Sequence, residues 1–151
     1  MILDAGFLIS VDRGDEAARS FLEAAKRAGR ALHTTHPVVA QVWRNGARQA
    51  RLARLLSSAV TTHALDNGVA VGLILEASGT NDVVAAHLVI TALRLGHDVL
   101  TGDVSDIGHL AKVVGPTAPT GHAWPSPATS LAEITPYPGS STSASMAPDV
   151  P

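Results

Sequence analysis

Three aspartates that follow short apolar segments are the residues whose type and spacing point most clearly to chemistry. Asp4 follows residues 1–3, and Asp103 and Asp106 follow a predicted strand at 98–101. In open α/β sheets ligands bind beyond the carboxyl ends of the strands, where these carboxylates are expected to lie. Oxygen ligands of this kind suit Mg²⁺ or Mn²⁺. The pattern therefore predicts a site for a hard divalent cation, with Asp4 and Asp103 as the principal ligands and Asp106 beside them.

An ion in such a site would serve phosphodiester cleavage, because it lowers the pKa of a bound water and stabilises the attacking and leaving oxygens. Each aspartate also has a simpler interpretation, since an Asp after a strand commonly caps the next helix or turn. For any one acid alone the capping interpretation is favoured, and for Asp106 it is about as good as a metal role. Taken together and in this order, Asp4 and Asp103 favour the metal site.

The elements that must position these acids alternate between strand and helix. Apolar segments at 1–3, 31–35, 60–65 and 98–101 predict strands, and amphipathic or apolar stretches between them predict helices. The helix predicted at 15–28 carries acids in its first turn and bases in its last, which suits the helix dipole. This alternation predicts an α/β fold, a three-layer sandwich in which a parallel sheet of four to five strands is flanked by helices.

Composition divides the chain near residue 119. From Gly115 onward the sequence contains eight of the nine prolines and neither Lys nor Arg. Because Pro removes amide donors and fixes φ, this part is unsuited to regular helices or central strands. We therefore expect a domain at 1–119 and a Pro-, Ser- and Ala-rich tail at 120–151 that is mostly disordered and anchored near Trp124.

Composition also argues against several kinds of partner and site. With no Cys, the chain has neither disulfides nor a thiolate metal site. The seven His residues show no paired spacing, which argues against zinc. The net charge of −2 gives no global attraction to nucleic acid, so any basic surface must be local. No signal peptide opens the sequence and no apolar run approaches the ~18 residues of a membrane span, so we expect a cytoplasmic protein with no membrane contact.

Four segments in a fixed order carry a resemblance to a known family: LDAGFLI, then TTHPVVAQVWR, DVVAAHLVITA and VLTGDVSDIGHLA. Over about residues 1–112 the chain resembles a PIN domain of the VapC toxin type, and is most similar to the actinobacterial branch with its VWR and RQARLARLL helix pair. The resemblance implies a PIN-like fold, Mg²⁺- or Mn²⁺-dependent endoribonuclease activity on RNA, a VapB-type antitoxin whose tail covers the active site, and a homodimer. Apolar helix stretches at 21–25 or 47–56 would offer the dimer interface.

Residue by residue, the resemblance keeps some of the family's acids and loses others. Asp4 corresponds to the first family acid, Asp103 to the fourth, and Asp106 to a common accessory acid. The second acid is replaced by Gln41, whose carbonyl oxygen can hold metal-bound water but adds no charge. The third is replaced by Ala85, which keeps no ligand at all.

Asp82 lies three residues before Ala85, on a similar face of the predicted helix. In the first turn of that helix a carboxylate suits the dipole, which is a purely structural role. An approach through water would instead let Asp82 partly replace the missing ligand as a catalytic residue. Two possibilities follow. The chain is a nuclease impaired by Ala85, natural or engineered, or it is an inactive PIN scaffold that binds antitoxin or RNA without cleavage.

Arg44 and Arg48 are the predicted contacts to RNA or to the antitoxin. With Arg51 they follow helical spacing and form a local basic face next to the acids. A solvated charged face explains Arg51 at least as well, and Arg44, nearest to Gln41, is the preferred substrate contact.

Two other protein classes place an Asp after a strand and fit this sequence less well. A haloacid-dehalogenase-like phosphatase needs a second Asp where Gly6 stands. A response-regulator receiver needs a Lys after its fifth strand, and neither Lys26 nor Lys112 is well placed to supply it.

Overall fold

Strands and helices alternate along the chain, as the sequence predicts. The computed structural model describes residues 1–124, and most of the predicted tail lies outside this part. The elements are, in order, β1 (Ile2–Leu3), α1 (Ala5–Arg13), α2 (Glu16–Arg27), β2 (Leu32–Thr35), α3 (His36–Val42), α4 (Ala50–Ser58), β3 (Val60–His63), α5 (Gly68–Ser78), α6 (Val83–Leu95), β4 (Val99–Thr101), α7 (Val104–Val114) and β5 (Gly121–Ala123).

The five strands form one parallel sheet in the order β3-β2-β1-β4-β5. β1 lies in the middle, where Ile2 pairs with His33 of β2, and Leu3 pairs with Leu100 of β4. Both β1 side chains are fully buried. Because parallel strands run the same way, the carboxyl ends of β1 and β4 lie at one edge of the sheet, directly before the aspartates that follow them. The predicted α/β architecture with a parallel sheet is confirmed.

The helix α6 packs against the middle of the sheet, and this packing fixes the position of its amino terminus. Every residue from Ala86 to Ala92 is buried, and α6 contacts β1, β2 and β4 as well as α3, α5 and α7. Asp82 caps its first turn, and Gly96 ends it in the left-handed conformation (φ 61°), which a side chain would strain. Because α6 is packed on most of its faces, its capped amino terminus is held in place at the edge of the sheet.

β5 is an element that the sequence analysis did not predict. Gly121–Ala123 pairs with β4, and the buried Trp124 packs edge-on against Phe7 and Phe21, with ring centroids 4.7 and 5.8 Å away. The indole nitrogen of Trp124 donates a hydrogen bond to Oγ of Ser10 at 3.0 Å. The described fold therefore continues past the boundary expected at 119. A three-residue edge strand without β-branched residues, set between prolines, carries little signal in the sequence.

The apolar stripes expected to form a dimer interface are used within the domain. Phe21 of α2 and Leu52 and Leu55 of α4 are buried in the core, so the largest side chains of both stripes pack within the domain. α5 instead exposes apolar side chains, with 78% of Val69 and 61% of Leu73 accessible.

Within residues 1–124 no single helix has the length and hydropathy to cross a membrane. The pair α5 and α6, bent by 113° at their junction, meets those criteria only when the two are taken together, on length and composition alone.

Candidate active site

A cavity of about 160 Å³ lies at the carboxyl edge of the sheet, next to the amino terminus of α6. Its lining consists of Asp4, Ala5, Gln41, Asp82, Val84, Ala85, Thr101, Asp103, Asp106 and Ile107. The four predicted acids converge on one place with Gln41 and Ala85, the two positions where the resemblance implies further acids, although these residues come from separate elements of the fold.

Asp4 joins β1 to α1 and is held through both carboxylate oxygens. Oδ1 accepts a hydrogen bond from the backbone nitrogen of Ala5 at 2.6 Å, which caps α1. Oδ2 accepts a hydrogen bond from Oγ1 of Thr101 at 2.7 Å. The side chain is half-buried. These two bonds fix the carboxylate in one orientation at the wall of the cavity.

Thr101 is a site residue that the sequence analysis missed. It is buried at the end of β4, and its hydroxyl donates to Asp4 while accepting from the backbone N–H of Asp103 at 3.0 Å. A hydroxyl can donate and accept at once, so a single group satisfies both bonds and couples the two acids. The signal in the sequence was a polar residue that ends an apolar strand two positions before an Asp.

Asp103 begins α7 as its N-cap. Oδ1 accepts hydrogen bonds from the backbone nitrogen and Oγ of Ser105, at 3.0 and 2.6 Å, and from the backbone nitrogen of Asp106 at 3.1 Å. The bond from the Ser105 hydroxyl, followed by the one from the Asp106 backbone, lowers the pKa of Asp103 below its ordinary value. The carboxylate is therefore ionised at neutral pH. These three hydrogen bonds fall on one oxygen, and the second oxygen remains for a ligand.

Asp82 is the N-cap of α6, and its Oδ1 accepts a hydrogen bond from the backbone nitrogen of Ala85 at 2.9 Å. This bond places the Asp82 carboxylate directly beside position 85, in the same cavity. Ala85 itself contributes only a methyl group to the wall. Asp106 lies in the first turn of α7, where the helix dipole favours a negative charge.

The observed capping role and the predicted ligand role therefore fall on the same side chains. Asp4, Asp82 and Asp103 are each the N-cap of a helix. Capping accounts for an acid at each position taken alone. Capping alone does not explain why these acids and Asp106 line one small cavity.

The donor set at the cavity suits a hard cation bound through few protein ligands. The side-chain donors there are carboxylate, amide and hydroxyl oxygens. Within residues 1–124, no three Asp, Glu or His side chains are arranged to hold one ion together. Mg²⁺ commonly takes one or two direct carboxylates and completes its shell with waters and substrate phosphate. The donor types that line the cavity are those that such an ion takes, and the residues described offer no preformed cage of three protein ligands.

The arginines predicted to flank the acids are arranged differently from the expectation. α4 begins at Ala50, so Arg44 and Arg48 lie in the connection between α3 and α4 and share no helical face. Buried Gln49 organises this connection, since its Oε1 accepts from the backbone nitrogen of Arg44 at 2.8 Å. The Arg44 guanidinium folds back to donate to the carbonyl of Ala40 at 3.0 Å. Neither arginine lines the cavity. The predicted helical basic face is therefore wrong, whereas contact of Arg44 and Arg48 with RNA or antitoxin stays a prediction.

A larger groove of about 910 Å³ lies away from the acids, among α1, α2 and α4. Its apolar floor includes Leu22 and Leu55, and its walls carry charges of both signs, among them Glu23 and Arg54. It shares no lining residue with the acidic cavity.

Comparison with known proteins identifies a shared fold. No protein-family model matches the sequence, and no curated protein matches it. A chain in the crystal structure of VapBC2 from Rickettsia felis, bound to a DNA fragment from their promoter, is similar in structure. The TM-score is 0.58 at 14% sequence identity, over 82% of this chain and 97% of that chain. The shared architecture confirms the predicted PIN-like fold.

Proposed function

We propose that this protein is a metal-dependent endoribonuclease of the VapC toxin type, which hydrolyses RNA phosphodiester bonds. The observation that carries the proposal is the convergence of Asp4, Asp103, Asp82 and Asp106 on one cavity at the carboxyl edge of a PIN-like sheet. The acids of the sequence motifs are the ones that line the cavity, and the fold that these motifs predict is the fold that brings them together. The actinobacterial subtype rests on the sequence motifs alone.

In this proposal Asp4 and Asp103 hold a Mg²⁺ or Mn²⁺ ion. Thr101 keeps the two carboxylates in register, since its hydroxyl bonds to one side chain and to the backbone of the other. The metal supplies charge neutralisation and an activated water when bound. Asp106 and Asp82, both exposed, lie close enough to orient water at the cavity, with Asp82 beside the position that lacks its family acid.

The same geometry argues for weak activity. Gln41 contributes no charge and Ala85 contributes no ligand, so the cation would rest mainly on two carboxylates. The second candidate function is therefore a PIN scaffold that binds RNA or antitoxin without cleavage, and the observation favouring it is the absence within residues 1–124 of three acids or histidines grouped for one ion.

We further propose a VapB-type antitoxin as partner, as expected for this toxin type, and a cytoplasmic site of action, where RNA is the substrate. The solved structural neighbour is itself a VapBC2 complex. A homodimer is also proposed, with a second copy covering the exposed apolar side of α5 around Val69 and Leu73. Leu73→Glu would then convert a dimer to a monomer in analytical ultracentrifugation. A wild-type protein that sediments as a monomer would exclude this arrangement.

The test of the enzyme is cleavage of a structured RNA by the purified protein with Mn²⁺, followed on a sequencing gel. We expect cut products that disappear in EDTA and in Asp4→Asn and Asp103→Asn. Asp15→Asn is the matched control, because Asp15 occupies an N-cap position without a side-chain capping bond and lies outside the cavity. Products that persist in Asp4→Asn would identify a contaminating nuclease. Tight RNA or antitoxin binding by wild type without any product would favour the scaffold.

A further inference from the structure

Three histidines from different parts of the chain meet beside β2. His33 lies in β2, His63 ends β3, and His97 follows α6. The ring centroids of His63 and His97 lie 5.2 and 5.0 Å from that of His33. All three side chains are half-buried, and none of them lines the acidic cavity. The function proposed above makes no use of this cluster.

The closest contact in the cluster joins two ring nitrogens. His63 pairs across the parallel strands with Thr35, two positions beyond His33, so both histidine side chains emerge on the same face of the sheet. Nδ1 of His33 lies 3.1 Å from Nε2 of His63. The other nitrogen of His33, Nε2, is buried without a hydrogen-bond partner among the described residues.

That separation matches the requirement of one ion bound by both rings. Imidazole nitrogens bind Zn²⁺ at about 2.0–2.1 Å, so two of them at tetrahedral or right angles lie about 2.8–3.4 Å apart. Imidazole suits zinc, copper and nickel, whereas Mg²⁺ and Ca²⁺ prefer oxygen. Burial, and next the positive charge of the amino terminus, lowers the pKa of His33 to about 4. The ring is therefore neutral at pH 7, which is the form that binds a metal.

We propose that His33 and His63 bind one transition-metal ion of the Zn²⁺ or Cu²⁺ class, at a site separate from the acidic cavity. Because residues 1–124 hold no preformed group of three ligating side chains, the ion takes two protein nitrogens and fills its remaining positions with solvent. Without metal, the same contact is a hydrogen bond in which one ring donates to the other. Metal binding moves that proton to the second nitrogen of its own ring, and no proton leaves the pair.

An ion held there would act on stability and not on cleavage. β3 is an edge strand of the sheet, attached through β2. A metal bridge between His33 and His63 would tie this edge strand to its neighbour in the folded state only. By mass action, a ligand that binds the folded state and not the unfolded chain raises the Tm as its concentration exceeds its Kd.

The first experiment is electron paramagnetic resonance of the full chain with one equivalent of Cu²⁺, in excess Mg²⁺ so that oxygen sites are filled. We expect hyperfine structure from two imidazole nitrogens, which disappears in His33→Gln and in His63→Gln. His36→Gln is the matched control, because His36 is exposed and begins α3 outside the cluster. A spectrum with oxygen ligands only, or nitrogen structure that survives His63→Gln, would overturn the proposal.

The second experiment needs no variant and so does not depend on how well the substituted chains fold. Long-range ¹⁵N–¹H spectra of wild type should show a tautomer change in His33 or His63 as Zn²⁺ is added, and ZnCl₂ should raise the Tm by roughly 5 °C. Unchanged histidine signals at saturating Zn²⁺ would reduce the contact to an ordinary hydrogen bond. Neither readout involves RNA, so the result stands apart from the fate of the proposed nuclease.

Discussion

The hydroxyl of Thr101 donates to Oδ2 of Asp4 at 2.7 Å, across 97 residues of sequence. The Thr101 hydroxyl oxygen also accepts a hydrogen bond from the backbone nitrogen of Asp103, so one small side chain links the two principal acids. The contact exists because β1 and β4 pair directly, which brings the ends of both strands together.

Thr101→Val should test this coupling. The substitution keeps the shape of the side chain but removes the hydroxyl, which leaves buried polar groups unsatisfied and costs about 1–3 kcal/mol. We expect a lower midpoint in urea unfolding and a larger proportional loss of Mn²⁺-dependent cleavage. Thr101→Ser keeps the hydroxyl and should retain most of both. Equal cleavage by the Val and Ser variants would show that the hydroxyl does not position the acids.

Ala85→Asp should strengthen the metal site. A carboxylate at position 85 would face the same cavity as Asp4 and Asp103, and in the first turn of α6 it would also suit the helix dipole. We expect Mn²⁺ affinity to rise on the order of tenfold, or about 1.4 kcal/mol, with faster RNA cleavage. Isothermal titration with Mn²⁺ measures the first and gel assays the second. Ala85→Asn, which adds the same bulk without charge, should give neither gain.

Asp82 has a capping role and a proposed catalytic role, which two substitutions separate. Asp82→Ala removes the bond to the backbone of Ala85 and should cost about 1 kcal/mol of stability. Asp82→Asn keeps a capping oxygen and should cost little stability, but it removes the charge from the cavity. If Asp82 assists catalysis, both variants lose cleavage. Loss in the Ala variant alone would assign the residue to helix capping only.

The carboxyl boundary of the domain is predicted to lie beyond Trp124. A chain ending at residue 124 should unfold at the same urea concentration as the full chain, because it retains β5 and the packing of Trp124 against Phe7 and Phe21. Trp124→Ala in the full chain should cost about 3–5 kcal/mol. Trp124→Phe keeps an aromatic ring and loses the bond to Ser10, so its cost should be closer to 1 kcal/mol.

Stability should fall on mild acidification, in part through His87. Burial is the largest cause that lowers the pKa of this α6 residue below 6.5, and nearby Arg94 adds to it, while Asp66 and the Ala64 backbone oppose the shift. The unfolded chain therefore binds a proton at a higher pH than the folded chain. The contribution of neutral His87 to the free energy of unfolding is fully present above pH 6.5, and it is lost as the pH falls toward the pKa of His87 in the folded chain.

Urea unfolding in EDTA at pH values between 7 and 5 measures this slope. His87→Gln should make it shallower without abolishing it, because burial also lowers the pKa of His33 and of His97. An unchanged slope in His87→Gln would show that this residue does not contribute.

Much of the fold and the principal acids were accessible from the sequence, for a physical reason. A parallel sheet buries its strands on both faces, so residues such as Ile2 and Leu100 read as apolar runs, and the polar residue after each run marks the edge where ligands bind. Asp4 and Asp103 carry that local signal.

The missed features depend on contacts far apart in sequence. From the sequence alone, Thr101 is only the last residue of a strand, and its role appears when β1 is placed beside that strand. Gln49 was predicted to be helical, whereas its side-chain amide donates to the carbonyl of Val42. The prediction of a helical basic face was wrong for the same reason. It assumed helical spacing through residues 44–48, which form a connection that is held by buried Gln49.

β1 lies in the middle of the sheet, and Leu3 can pair with Leu100 of β4 only after 97 further residues have been synthesised. Until then the nascent chain displays one open backbone edge of β1, and the acids from the two ends of the domain remain in separate places. A growing chain that lacks β4 and the start of α7 therefore has no complete acidic cavity. The site proposed for RNA cleavage is therefore complete only when nearly the whole domain has been synthesised.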